Sequence, residues 1–187
     1  AYVKAHWPAE FLCARLADSG GFHHPAIYMA EAVRLGIAVR PPHVNYSGER
    51  FTLSYEYATD GEQPVLWMGL GQVRDLRAAT IHAIQTERAA GPFTSLRDLS
   101  ARVMPQPKEL ANLIRCGALD GLGPSRTAML EEASEVGRAG STRQLRFGFL
   151  DTPAPAVDTT AERITWETEI LGQPVSVHPL ALVRVPS

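Results

Sequence analysis

The sequence predicts a mainly α fold with a small β-hairpin, in which helical N-terminal segments precede a cluster of short helices. Three observations carry that expectation. Apolar residues recur at three- and four-residue spacing in short runs bounded by Gly or Pro. One stretch, residues 51–68, alternates apolar and polar residues around an Asp60-Gly61 turn. A hydrophobic fraction of 45% with 20% charged residues, over 187 residues, is enough to bury one or two cores.

Taken in order, Pro8 suits a first helical turn, and Phe11, Leu12, Arg15 and Leu16 continue at helical spacing to Ser19-Gly20-Gly21. A second helix starts at Pro25, carries Ile27, Ala30, Val33 and Arg34, and stops at Gly36. Ile37-Ala38-Val39 reads as a short strand ended by Pro41-Pro42. Phe51, Leu53 and Tyr55, then Val65 to Met68, form the hairpin. Helices follow near 77–90 and 95–103, and from Pro107 and Pro124. Residues 137–155 are rich in Gly, Ser, Thr, Arg and Pro and read as an extended linker. Thr159-Thr160-Ala161-Glu162 fits a capping box that opens a last helix, which runs through Leu171 to Gly172.

Charge is uneven along the chain. The net over the whole is -2, but residues 69–130 hold 8 basic and 5 acidic side chains, whereas 1–68 hold 5 and 7 and 131–187 hold 5 and 8. The middle third is the part that would attract a polyanion. Cys13 and Cys116 stand alone, without the spacing of a zinc site or a disulfide framework, and read as two reduced, partly buried thiols. His23-His24 reads as a helix-entry loop, not a metal site, and Trp7, Trp67 and Trp166 read as core residues. No apolar run is long enough to span a bilayer, so no membrane partner is expected and a cytoplasmic location is. The chain opens at Ala1 without Met, as expected of a segment of a longer protein.

One motif carries chemistry. In a helix-hairpin-helix element a Gly-apolar-Gly turn lets backbone N–H groups approach a DNA phosphate, and the next helix presents its positive dipole end to that charge. Such an element grips backbone without reading bases. Residues 113–126 fit: a helix, the turn Gly121-Leu122-Gly123, Pro124 at a first helical position, Ser125, and Arg126 in the first turn. A helical connection in which the glycines are only caps fits the same residues.

The order of several stretches resembles a known family. Ala1 to Phe11, Glu31 to Ile37, Pro41 to Asn45, Gly69-Leu70-Gly71, Gly91 to Leu96, Leu113 to Arg126, Leu171-Gly172 and His178-Pro179-Leu180 resemble the region between fingers and OB-fold of the bacterial C-family replicative DNA polymerases, the DNA polymerase III alpha subunit. The resemblance implies the end of a fingers domain at 1–45, a tandem helix-hairpin-helix domain at 46–136 that holds duplex primer-template DNA, a linker at 137–159, and a helix and turn at 160–187 leading to an OB-fold. It implies template-directed DNA synthesis in the parent enzyme, with Mg²⁺ held by palm-domain aspartates outside this segment, and contacts to other replisome subunits through the parent chain. No cofactor and no catalytic residue is expected in the segment itself. It lacks an Asp-x-Asp pair, and Glu167-Thr168-Glu169 sits on a predicted helix where residues two apart diverge, which reads as a solvated face.

Two further expectations follow. The first hairpin departs from the family pattern: Asp75-Leu76-Arg77 stands where Gly-apolar-Gly is usual, so Arg74, Leu76, Arg77 and Thr80 are phosphate-binding candidates on a degenerate turn. In the linker, Gln144-Leu145-Arg146-Phe147-Gly148-Phe149 is similar to short sliding-clamp-binding peptides, which makes Gln144, Leu145, Phe147 and Phe149 the candidate anchors. The rival reading is a protein-interaction scaffold whose hairpins no longer bind DNA. A base-flipping glycosylase is disfavoured, because its Schiff base needs a lysine after the hairpin and only Lys4 and Lys108 exist.

Overall fold

The computed structural model describes residues 2–18, 25–58, 61–139 and 157–176. Within them lie α1 (Tyr2–His6), α2 (Pro8–Ala17), α3 (Pro25–Arg34), β1 (Ala38–Arg40), β2 (Thr52–Ala58), β3 (Gly61–Trp67), α4 (Ala78–Ala89), α5 (Leu96–Val103), α6 (Pro107–Arg115), α7 (Arg126–Ala139) and α8 (Thr160–Leu171), with a single 3-10 turn at Leu70–Gln72. The mainly α expectation holds.

Local signals account for most boundaries. Ser95 Oγ accepts the Asp98 N–H at the start of α5, and Gln106 and Glu109 form a reciprocal box around Pro107 at the start of α6. The predicted Thr159–Glu162 box opens α8, and Gly172 closes it in the left-handed region at φ 79°. One boundary differs from expectation. Pro124 lies before α7 rather than inside it, and Ser125 caps the helix by accepting the Ala128 N–H at 3.1 Å.

The hairpin of β2 and β3 is antiparallel, with Ala58 opposite Gly61. The short segment predicted near 37–39 joins the same sheet as β1, parallel to β3, in the order β1-β3-β2. A parallel pairing needs a crossover longer than any turn, so no local sequence signal announces it.

Among the described residues, two apolar clusters organise the chain. Leu12, Leu16, Met29, Ala32, Phe51, Leu66 and Met68 pack α2 and α3 on the sheet. Leu70, Ile84, Phe93, Leu99, Leu113, Leu119, Met129 and Ile170 pack α4 through α8. Packing therefore changes over between Met68 and Leu70. The expected division at 45/46 falls where the chain is tied to the second cluster: Val44 N donates to Ala118 O at 3.0 Å, and the Asn45 amide brackets the Phe93 backbone, donating to its carbonyl at 2.9 Å and accepting its N–H at 2.8 Å.

Of the three tryptophans, Trp67 is buried as expected, Trp166 is half-buried, and Trp7 is exposed beside Tyr2 and His6. Cys116 is fully buried, and burial pushes its thiol up to about 12. Cys13 is half-buried and free. His23-His24, the Gln144–Phe149 peptide and His178-Pro179-Leu180 lie outside the described residues.

Candidate nucleic-acid interface

The first hairpin is built by the 3-10 turn, residues 73–77 and α4. Asp75 takes the left-handed φ of 58° that the Gly-apolar-Gly pattern would give to glycine, and its carboxylate pairs with Lys108 Nζ at 2.8 Å. That pairing lowers the Asp75 pKa. The carboxylate faces a cation and is not left bare at the turn.

Behind the turn sits Glu109, buried in the first turn of α6. It accepts the Arg77 backbone N–H at 3.0 Å, the Arg77 guanidinium at 2.9 and 2.8 Å, the Thr80 hydroxyl at 2.8 Å and the Gln106 N–H at 2.8 Å. Burial acts to raise the Glu109 pKa, but the donors from Arg77, Gln106 and Thr80 outweigh it and hold the carboxyl at about 2. Thr80 is buried and Leu76 packs on the core, so both are scaffold. Arg74 is exposed and the Arg77 side chain is 51% exposed. Ala78 and Ala79, the first two residues of α4, are exposed too.

The second hairpin is built by α6, residues 116–125 and α7. Of the turn glycines, Gly121 takes the left-handed φ of 88°, as does Gly117 just before the turn at 85°, whereas Gly123 does not. Gly123 is needed for a different reason: a Cβ there would meet the Met129 side chain at 2.6 Å. His43 holds the turn from outside through Nε2 and the Asp120 carbonyl, 3.0 Å apart.

Arg126 is not at the surface, where the sequence placed it. Its side chain is 0% exposed, with Nε and Nη2 on Asp120 at 2.9 and 2.7 Å and Nη1 on Glu167 and the Arg115 carbonyl, both at 2.9 Å. Burial opposes the guanidinium charge, but the two carboxylates outweigh it and raise its pKa. Arg126 braces the turn from within. Glu167, expected on a solvated face, is the fully buried partner in this pair, and its carboxylate also accepts the backbone N–H groups of Val175 and Ser176 at 2.7 and 2.9 Å and the Ser176 hydroxyl.

The N-terminus of α7 is also occupied. Asp158, just before α8, accepts Arg126 N at 2.8 Å, Thr127 N at 2.9 Å and the Thr127 hydroxyl at 2.9 Å. Ser125 satisfies Ala128 N. Of the residues predicted here, Gly121 is exposed, Leu122 and Gly123 are half-buried, Ser125 is a cap and Arg126 is buried. The structure adds Glu109, Asp120, Asp158, Arg163 and Glu167, whose roles depend on partners 29 to 41 residues away for Glu109, Asp158 and Glu167. Among the described residues no group of acidic, His or Cys side chains could hold a metal ion, and no helix is long and apolar enough to cross a membrane.

A family model described as a helix-hairpin-helix motif matches residues 36–129, half of the chain. The chain belongs to the helix-hairpin-helix family. Its relatives extend the likeness beyond those residues. An error-prone DNA polymerase of Alkalilimnicola ehrlichii is 32% identical over 98% of this chain and 18% of its own length. An error-prone DNA polymerase of Anaeromyxobacter sp. (strain K) is 34% identical over 98% and 17%, and the DNA polymerase III subunit alpha of Thermus aquaticus is 34% identical over 96% and 15%. The likeness to the polymerase family read from the sequence is thus borne out along nearly the whole chain. This helix-hairpin-helix chain spans less than a fifth of the length of these relatives.

Proposed function

We propose that this chain holds duplex DNA by its phosphates, without reading base sequence, as part of a template-directed DNA polymerase that also docks on a sliding clamp. The observation that carries the DNA reading is the first hairpin, where Arg74, Arg77 and the first residues of α4 lie together at the surface. An exposed helix start beside two guanidinium groups is suited to a phosphodiester. The family match and the polymerase relatives support the same reading.

The test is fluorescence anisotropy of a labelled primer-template duplex titrated at several salt concentrations. The expected slope of log K against log salt is about -0.9 for each phosphate contacted, and Arg74→Ala and Arg77→Ala each remove about one contact. Absence of binding at low salt would instead favour the interaction-scaffold reading, which the buried Arg126 and the occupied start of α7 support for the second hairpin. Clamp docking rests on the Gln144–Phe149 pattern. Replacing Gln144 and Phe149 together by Ala should abolish retention of the chain on an immobilised bacterial sliding clamp while leaving DNA binding intact.

A further inference from the structure

Residues 43–47 form a turn clamped from several sides. The His43 carbonyl accepts the Tyr46 and Ser47 N–H groups at 3.1 and 2.8 Å, and Ser47 Oγ accepts His43 N at 2.9 Å. Arg88 Nη1, from α4 of the first hairpin, donates to the Val44 and Ser47 carbonyls at 3.0 and 2.8 Å. Just beyond the turn, the Gly48 and Glu49 carbonyls accept Leu70 N and Gly71 N at 2.9 Å, which ties this segment to the 3-10 turn of the same hairpin. His43 Nε2, at the Asp120 carbonyl, ties it to the second.

Tyr46 is the one side chain of 43–47 that faces solvent: it is 59% exposed, while the other four residues are buried or half-buried. Its ring is held in place. It stacks on Trp67 with 4.9 Å between centroids and 30° between planes, and it lies 4.7 Å from the His43 ring. Trp67 is buried at the end of β3, its Nε1 donates to Ser54 Oγ at 3.1 Å, and the Arg40 guanidinium stands 5.2 Å from its ring centre. Arg40 Nη2 is bonded to Glu56 at 2.7 Å, and the Arg40 side chain is still 44% exposed. An exposed ring backed by a second aromatic, fixed on a rigid turn and flanked by a cation, is suited to stack an unpaired base. A protein-docking patch needs a contiguous apolar surface, whereas the other exposed residues of 43–50 are Glu49 and Arg50.

Resting on the reading that the chain holds DNA by its phosphates, we propose that Tyr46 is a stacking platform for an unpaired base of single-stranded DNA, backed by Trp67, with Arg40 placed for the adjoining phosphate. Bases inside a duplex have their faces covered by their neighbours, so the platform acts on strand that has left the duplex. The clamped turn fixes the platform relative to both hairpins.

The test follows by anisotropy the binding of the 187-residue chain to three labelled probes: a short DNA single strand, an abasic strand of the same length, and a blunt duplex. The two single strands carry the same phosphates, so the parent should bind the one with bases about tenfold more tightly. Tyr46→Ala should lose that advantage, about tenfold on the single strand, with less than about a twofold change on the abasic strand and the duplex. Tyr46→Phe keeps the ring and should bind as the parent does. Arg40→Gln should flatten the salt slope on the single strand by about 0.7. Tyr57→Ala removes an 88% exposed ring near the far end of β2 and should change no affinity by more than about twofold; circular dichroism checks that each variant folds. Equal affinity of the parent for the single strand and the abasic strand would overturn the proposal without any variant. A loss in Tyr46→Ala that extends to the abasic strand, or that Tyr57→Ala reproduces, would overturn it as well. Duplex binding with no effect of Tyr46→Ala on the single strand overturns the platform alone, and no binding to any probe at low salt overturns the DNA reading with it.

Discussion

At the first hairpin the turn reads Arg74-Asp75-Leu76-Arg77, and the carboxylate behind it, Glu109, is fixed inside a helix. At the second the turn reads Gly121-Leu122-Gly123, and the carboxylate, Asp158, belongs to the irregular backbone just before α8. Each hairpin thus supplies its second helix with an internal anion, but the arginines are disposed oppositely. Arg77 uses one edge of its guanidinium on Glu109 and leaves half of the side chain in solvent, whereas Arg126 is consumed by Asp120 and Glu167. A turn with the expected glycines can therefore be closed by tertiary contacts, and a turn without them can keep its charge outside. Turn sequence and availability for binding are separate properties.

The largest effect expected from this contrast is on stability. Removing a buried, doubly paired cation leaves the fully buried Glu167 carboxylate without its cation, so Arg126→Met should lower the unfolding free energy in urea by about 3–5 kcal/mol. A loss comparable to that of an exposed arginine would erase the distinction between the hairpins.

Acid should next single out the first hairpin. The folded Glu109 carboxyl, at about 2, lies below its ordinary value of 4.5. Its stabilisation is therefore present above pH 4.5 and is lost as pH falls from about 5 toward 2. The unfolding free energy of the parent, from urea titrations, should fall across that window by an amount on the order of 3 kcal/mol more than that of Glu109→Gln.

Gly117 sharpens the second hairpin. It is left-handed at φ 85°, and a Cβ there would run into the Arg126 guanidinium. Gly117→Ala should cost about 2 kcal/mol by the same measurement, and equal stability of the two proteins would mean that Arg126 is loosely held. The smallest effect is expected at Lys108, whose partner Asp75 is exposed. Lys108→Ala should leave the urea midpoint unchanged within error, while a measurable drop would make the first turn depend on that pair.

Helices and caps were legible in the sequence because their causes are local: Pro8, Pro107, the Thr159–Glu162 box and Gly172 act within one turn of themselves. The hairpin strands were legible for the same reason. The parallel pairing of β1 with β3 was not, since Ala38 meets Val65 only through the intervening chain. At the site, the left-handed backbone at Gly121 was legible, but the burial of Arg126 was not. Nothing adjacent to Arg126 distinguishes a phosphate ligand from a buried brace, because Glu167, 41 residues away, decides it. Glu167 was misread in turn, because a glutamate on a helix normally faces water.

Glu167 has one more consequence. A single buried carboxylate holds the arginine of the hairpin and, on its other side, the backbone of Val175 and Ser176. The bearing on which the main chain departs after α8 is therefore surveyed from the hairpin. Through one side chain, the path of the main chain at residues 175–176 and the hairpin turn share a single anchor.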